Sequence, residues 1–128
     1  MEYYFSKITN ESFEKTIEKV TDALKTEGFG ILTEIDIKAT LKEKLDVDFN
    51  NYTILGACNP PFAYEALQVE NKIGLLLPCN VIVQELPDGK VEVSAIDPVQ
   101  TMQAVGNPEL KIIAERVQAK LRNVINNT

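Results

Sequence analysis

Two runs of alternating hydrophobicity flank the stretch Leu86-Pro87-Asp88-Gly89-Lys90, and no other feature of the chain restricts its fold as strongly. In the first run Val81 and Val83 alternate with Asn80, Ile82 and Gln84; in the second Val91, Val93 and Ala95 alternate with Glu92, Ser94 and Ile96. Asp-Gly between alternating runs is a strong hairpin signal, because both residues tolerate the positive φ of a tight turn. Strands over 79–86 and 90–96 are therefore expected to pair antiparallel. Residues 49–64 and 73–84 contain no Asp, Glu, Lys or Arg, which suits the centre of a sheet or a subunit interface.

The remaining pattern alternates strands with helices. A strand is expected over 2–8, then a helix over 11–27 with the apolar stripe Phe13, Ile17, Val20 and Leu24. Thr9 or Asn10 would cap that helix, Glu11 and Lys15 have a favourable i,i+4 order, and Gly28 would end it. Alternation predicts a strand over 29–35, and Asp36 would cap a helix over 37–45 with the stripe Ile37, Leu41 and Leu45. A β-branched run predicts a strand over 52–58. Asn59-Pro60 then has the cap-proline form of a helix start, predicting a helix over 60–69 with Phe62, Ala63, Ala66 and Leu67 inward. The apolar run 73–77 reads as a further strand, and residues 99–106 are ambiguous between helix and loop. Asn107-Pro108 repeats the cap-proline start, and Leu110, Ile113, Val117, Leu121 and Val124 form a long helical stripe over 108–125.

A chain of 128 residues fits one domain, residues 1–128, and needs neither a disulfide nor a metal to be stable. The net charge of −6, with 13 scattered Lys and Arg, argues against nucleic acid or an anionic membrane surface as partner. No secretory leader is visible at the N-terminus and no apolar run is long enough to span a bilayer. With only two cysteines, a reducing, cytoplasmic location is expected.

Histidine is absent, which removes Ser-His and Cys-His arrangements and the commonest metal ligand. No phosphate-binding glycine motif or paired CxxC is present. No cofactor and no metal site are expected. The remaining candidates for a pocket or reactive site are Cys58, Asn59, Cys79, Asn80, Tyr64 and Glu65. Cys58 precedes a helix N-terminus, where the dipole favours a thiolate; equally, it is a small hydrophobe at a strand end. Asn59 would cap that helix with its side-chain oxygen. Asn80 in an apolar strand would tie down a loop, line a pocket or face solvent. Tyr64 and Glu65 would lie within reach of a site built around Cys58, or simply be wet.

The segment Leu55-Gly56-Ala57-Cys58-Asn59-Pro60-Pro61-Phe62-Ala63, followed by Ile73-Gly74-Leu75-Leu76-Leu77-Pro78-Cys79-Asn80-Val81, resembles the pair of motifs that marks the DUF302 family. Glu85, Asp88-Gly89 and Asp97-Pro98 fit the same pattern, and the resemblance spans roughly residues 3–123. It implies a small α+β protein with helices against an antiparallel sheet, often a dimer, and supplies no reaction. By motif it marks Cys58, Asn59, Pro60, Pro78 and Cys79 as positions of interest.

The expected fold is α+β in two layers, with a predominantly antiparallel sheet and the main helices on one face. The expected function is non-enzymatic, the binding of a small ligand or of a protein partner, with a homodimer as the expected assembly. The alternative is a small thiol-dependent enzyme or redox protein using Cys58.

Overall fold

The computed structural model describes residues 2–128. Its strands are β1 (Tyr4–Thr9), β2 (Gly30–Asp36), β3 (Tyr52–Cys58), β4 (Cys79–Glu85) and β5 (Val91–Ile96). Its α-helices are α1 (Phe13–Thr26), α2 (Ile37–Leu45), α3 (Pro60–Val69), α4 (Pro98–Met102) and α5 (Pro108–Asn126). The strands form one sheet in the order β1-β5-β4-β3-β2, and every neighbouring pair is antiparallel.

The hairpin at Asp88-Gly89 forms as its sequence requires, with Gly89 at a φ of +86°. Val83 stands opposite Val93 and Val81 opposite Ala95, so the alternating apolar residues of β4 and β5 share one face. On β3, Leu55 faces Val81 and Ala57 faces Cys79, which extends that face across the sheet. Helices α1 and α5 touch each other and both pack on β5, so they lie in the same layer. Val20, Leu24, Leu110, Leu121 and Val124 descend from them, fully buried, onto the sheet. The two-layer α+β architecture follows directly from these periodicities.

Several local expectations are corrected. Ser12, rather than Thr9 or Asn10, caps α1, its hydroxyl accepting from Lys15 N at 3.1 Å. Thr9 instead turns the chain by accepting from Glu11 N. Because Glu11 precedes the helix, helical spacing does not apply to it, and its carboxylate meets Lys19 at 3.0 Å instead of Lys15. Residues 73–77 are not a strand: Ile73–Leu76 form one turn of 3-10 helix. Only Ile73 of that turn is buried, while Leu75 is 85% exposed. A run of apolar residues with no period carries no local conformational signal, and this one is interrupted by Gly74 and ended by Pro78. Leu67, expected inward, is exposed. Helix α2 forms with Asp36 as its cap, yet none of its residues is buried and Leu45 is 65% exposed. The ambiguous residues 99–106 fall on α4 and a following 3-10 turn, Gln103–Val105.

Candidate functional site

The two charge-free segments converge at one end of the sheet. In the β3–β4 ladder Ala57 stands opposite Cys79 and Gly56 opposite Asn80. Cys58 ends β3 and is half-buried, whereas Cys79 opens β4 behind the cis Leu77-Pro78 bond and is buried. Helix α3 leaves from Asn59-Pro60 and covers this end with Phe62, Ala63 and Ala66.

Asn59 does not cap α3; its side chain makes no hydrogen bond to the helix. Its Nδ2 instead donates to the carbonyl of Glu27 at 3.1 Å. The geometry of α1's end explains this. Phe29 N bonds Leu24 O and Gly28 N bonds Lys25 O, the paired closure of a helix whose next residue is left-handed. Gly28 takes that conformation at a φ of +85°, and a Cβ there would lie 3.2 Å from Asn59 Nδ2. The Glu27 carbonyl is thereby turned towards β3, where the buried Asn59 satisfies it. Asn107 repeats the device: its side-chain oxygen caps α5 at Glu109 N and its Nδ2 donates to Val69 O at 2.9 Å. Asp97 caps α4 at Val99 N and is held from α5 by Gln118 Nε2 at 3.0 Å. Each residue before a helix-starting proline thus joins two distant elements.

The two roles open to Asn59 separate cleanly on substitution. Asp caps helices as well as Asn does but cannot donate a hydrogen bond. Asn59→Asp is therefore expected to destabilise at least as much as Asn59→Ala, by about 1–2 kcal/mol in chemical denaturation. An Asp variant as stable as the wild type would restore the capping role.

Cys58, Asn59 and Cys79 line one small void with Phe62, Ala66 and Met102. Its volume is about 30 Å³, room for little more than a water molecule. Burial, with a smaller contribution from neighbouring Cys58, pushes the Cys79 thiol up from 9.0 to about 11. The folded state holds the neutral form, so its contribution to stability is complete below the unfolded pKa and declines as pH rises from 9 towards 11. The loss is expected to reach about 2 kcal/mol by pH 11. Denaturation curves for the wild type and Cys79→Ala, compared over that range, should show this component only in the wild type.

Asn80 is exposed and lies opposite Gly56 on the far face of the sheet, away from the two thiols' void. Tyr64 is 67% exposed. Glu65 reaches Arg116 on α5 at 3.4 Å, and that guanidinium also lies over the Phe62 ring at 4.9 Å. Both residues sit outside the void. The structure thus brings together Cys58, Asn59 and Cys79 and leaves Asn80, Tyr64 and Glu65 apart from them. Among the described residues no group of three or more His, Cys, Asp or Glu is placed to hold a metal ion, and no helix is long and apolar enough to cross a membrane.

A larger cleft, about 390 Å³, opens between α4 and the start of α5. Val99, Met102, Pro108 and Ala114 supply an apolar lining, and Gln103 and Lys111 stand at its rim. Met102 and Ala114 also line the small void, so the wall between the two is thin. None of these positions stands out in the sequence. Val99, Met102 and Gly106 show no period, and Lys111 is simply off the α5 stripe. The one available signal was the cap-proline pair Asp97-Pro98 and Asn107-Pro108, which brackets a short helix and a turn.

A comparison with curated proteins found no match. Among solved structures, the crystal structure of an uncharacterized conserved DUF302 protein from Bacillus stearothermophilus superposes with a TM-score of 0.93. It is 27% identical, and the match covers 99% of this chain and 98% of that one. The family model described as a domain of unknown function, DUF302, matches residues 5–128, and with that match the chain belongs to the DUF302 family.

Proposed function

We propose that residues 1–128 form one domain acting as a non-enzymatic binding module for a small apolar molecule, held in the cleft between α4 and α5. The observation that carries this reading is the cleft itself. Its volume of about 390 Å³ lies within the range of ligand sites, about 300–1,000 Å³, and its walls are largely apolar. The cleft rests on a rigid frame, because Asp97 and Asn107 pin the two helix starts that bound it. Titration with 1-octanol, followed by the methyl resonances of Val99, Met102 and Ala114, tests it. Saturable shifts confined to these methyls are expected. Shifts spread over the whole molecule, or none, would overturn the reading.

The second face of the sheet favours a homodimer as the working assembly. It carries Tyr4, Ser6, Ile82, Gln84, Glu92 and Ser94, none of them under α1 or α5. Ser6 and Ser94 hydroxyls bond each other at 2.6 Å and Gln84 donates to Glu92 at 3.2 Å, so part of its polarity is already satisfied. A depression of about 390 Å³ between Tyr4, Tyr52 and Ile96 leaves apolar surface for a partner. Sedimentation at micromolar protein should show a dimer; a 14.3 kDa species alone would refute it. A reducing, cytoplasmic setting belongs to this reading, two cysteines being too few for a disulfide scaffold.

The thiol reading keeps one supporting observation, the half-buried Cys58 beside Cys79. In a Cys79→Ala background, fast alkylation of Cys58 with a midpoint well below about 8.5 would favour thiol chemistry. Labelling only on unfolding would end it.

A further inference from the structure

We infer that the cleft between α4 and α5 takes an amphiphilic monoanion, an aliphatic carboxylate, with its tail against Val99, Met102 and Ala114 and its head at Lys111. This deepens the binding reading above and rests on it. Three polar residues line the cleft: Gln103, Asn107 and Lys111. Asn107 is already committed at both ends, its oxygen to Glu109 N and its Nδ2 to Val69 O. Gln103 and Lys111 remain to meet a ligand. Lys111 is exposed, and its ammonium has no ion pair or hydrogen bond among the described residues. Glu109 and Glu115 lie two and four positions from it on α5, and neither pairs with it.

The surrounding charge sharpens the selection. With 19 acidic against 13 basic residues, most of this surface repels an anion, and what sets Lys111 apart is its place on the lining of an apolar cleft. Lys111 also stands in the first turn of a 19-residue helix, where the dipole favours negative charge. The donor supply limits that charge to one. Pro108 has no N–H, Glu109 N is taken by Asn107 and Lys111 N by the Asn107 carbonyl, and Leu110, whose N–H is the one left in that turn, is buried and does not line the cleft. A phosphate dianion needs several donors, whereas a carboxylate is served by one ammonium and the Gln103 amide. Met102, buried, lines both the cleft and the small void behind it. Being unbranched and adaptable, methionine suits a wall that yields to tails of different length.

Calorimetric titration of the full chain with octanoate and with 1-octanol, at low salt, separates the possibilities. Octanoate is expected to bind one per chain and about fivefold more tightly than the alcohol, the scale of one exposed ion pair. In Lys111→Gln that preference should disappear, the two compounds binding alike. Equal affinities in the wild type, or a preference for octanoate that survives Lys111→Gln, would overturn the carboxylate assignment and leave the apolar cleft standing. Binding of neither compound would overturn both.

Discussion

Gly56→Ala is expected to destabilise the protein by about 3 kcal/mol, the upper part of the range for overpacking a closed site. Gly56 lies in β3, the strand between edge strand β2 and β4. Its φ is not the reason, since the strand is extended there. The reason is space: a Cβ at this position would run into Thr33 Oγ1 and come within 2.9 Å of Pro78 Cγ. Thr33 stands directly opposite Gly56, where the β2 register shifts between Ile31 and Thr33. Pro78 is fixed by its ring and by the strand that follows. Thr33 can yield only by turning its hydroxyl about χ1 and Pro78 only by changing its ring pucker, and both must give at once. In a Thr33→Ala background one of the two obstructions is gone, and the same substitution should cost measurably less. Denaturant unfolding of the four proteins closes the cycle. A Gly56→Ala variant within about 0.5 kcal/mol of the wild type would show that this end of the sheet is looser than described.

Leu121→Ala is expected to cost about 3–4 kcal/mol, from lost burial together with the cavity left behind. Leu121 is fully buried on α5, the helix that packs on α1, β1 and β5. Its neighbours along the stripe, Val117 and Val124, are buried too, so the vacated volume has no flexible side chain or solvent to fill it. Leu45 on α2, of the same residue type and 65% exposed, is the internal control. Leu45→Ala should change stability by less than about 0.5 kcal/mol. Similar losses at both positions would contradict the two-layer core.

Most of the fold was legible because its elements bury one face each. The stripe of α5 and the alternation in β4 and β5 are direct images of burial, and Asp88-Gly89 left only one way to connect those strands. Helix α2 shows the converse: Ile37, Leu41 and Leu45 keep helical spacing, and the helix forms, yet spacing carries no information on whether anything covers it. The turn at Ile73–Leu76 was illegible because five successive apolar residues fit several conformations. Asn59 was placed correctly at a helix start but given the wrong bond. Its partner, the Glu27 carbonyl, is 32 positions away in sequence and is presented only by the left-handed Gly28. The candidate site was the least legible part. Cys58, Asn59 and Cys79 were marked by their motif and do converge, but on a void too small for a ligand. The α4–α5 cleft, which does have room for one, is lined from α4 and the first turns of α5, where no residue type announces a site.

The binding reading is tested most directly by native mass spectrometry of protein isolated gently from its source cell, beside a Gln103→Trp variant. Gln103 is an exposed residue on the rim of the cleft, so an indole there would fill the opening without entering the core. A binding module is expected to carry one small organic molecule per chain, released on acidification, with sharply reduced occupancy in Gln103→Trp. The bare chain mass of 14.3 kDa per subunit in both proteins, or an adduct retained equally by the variant, would contradict it.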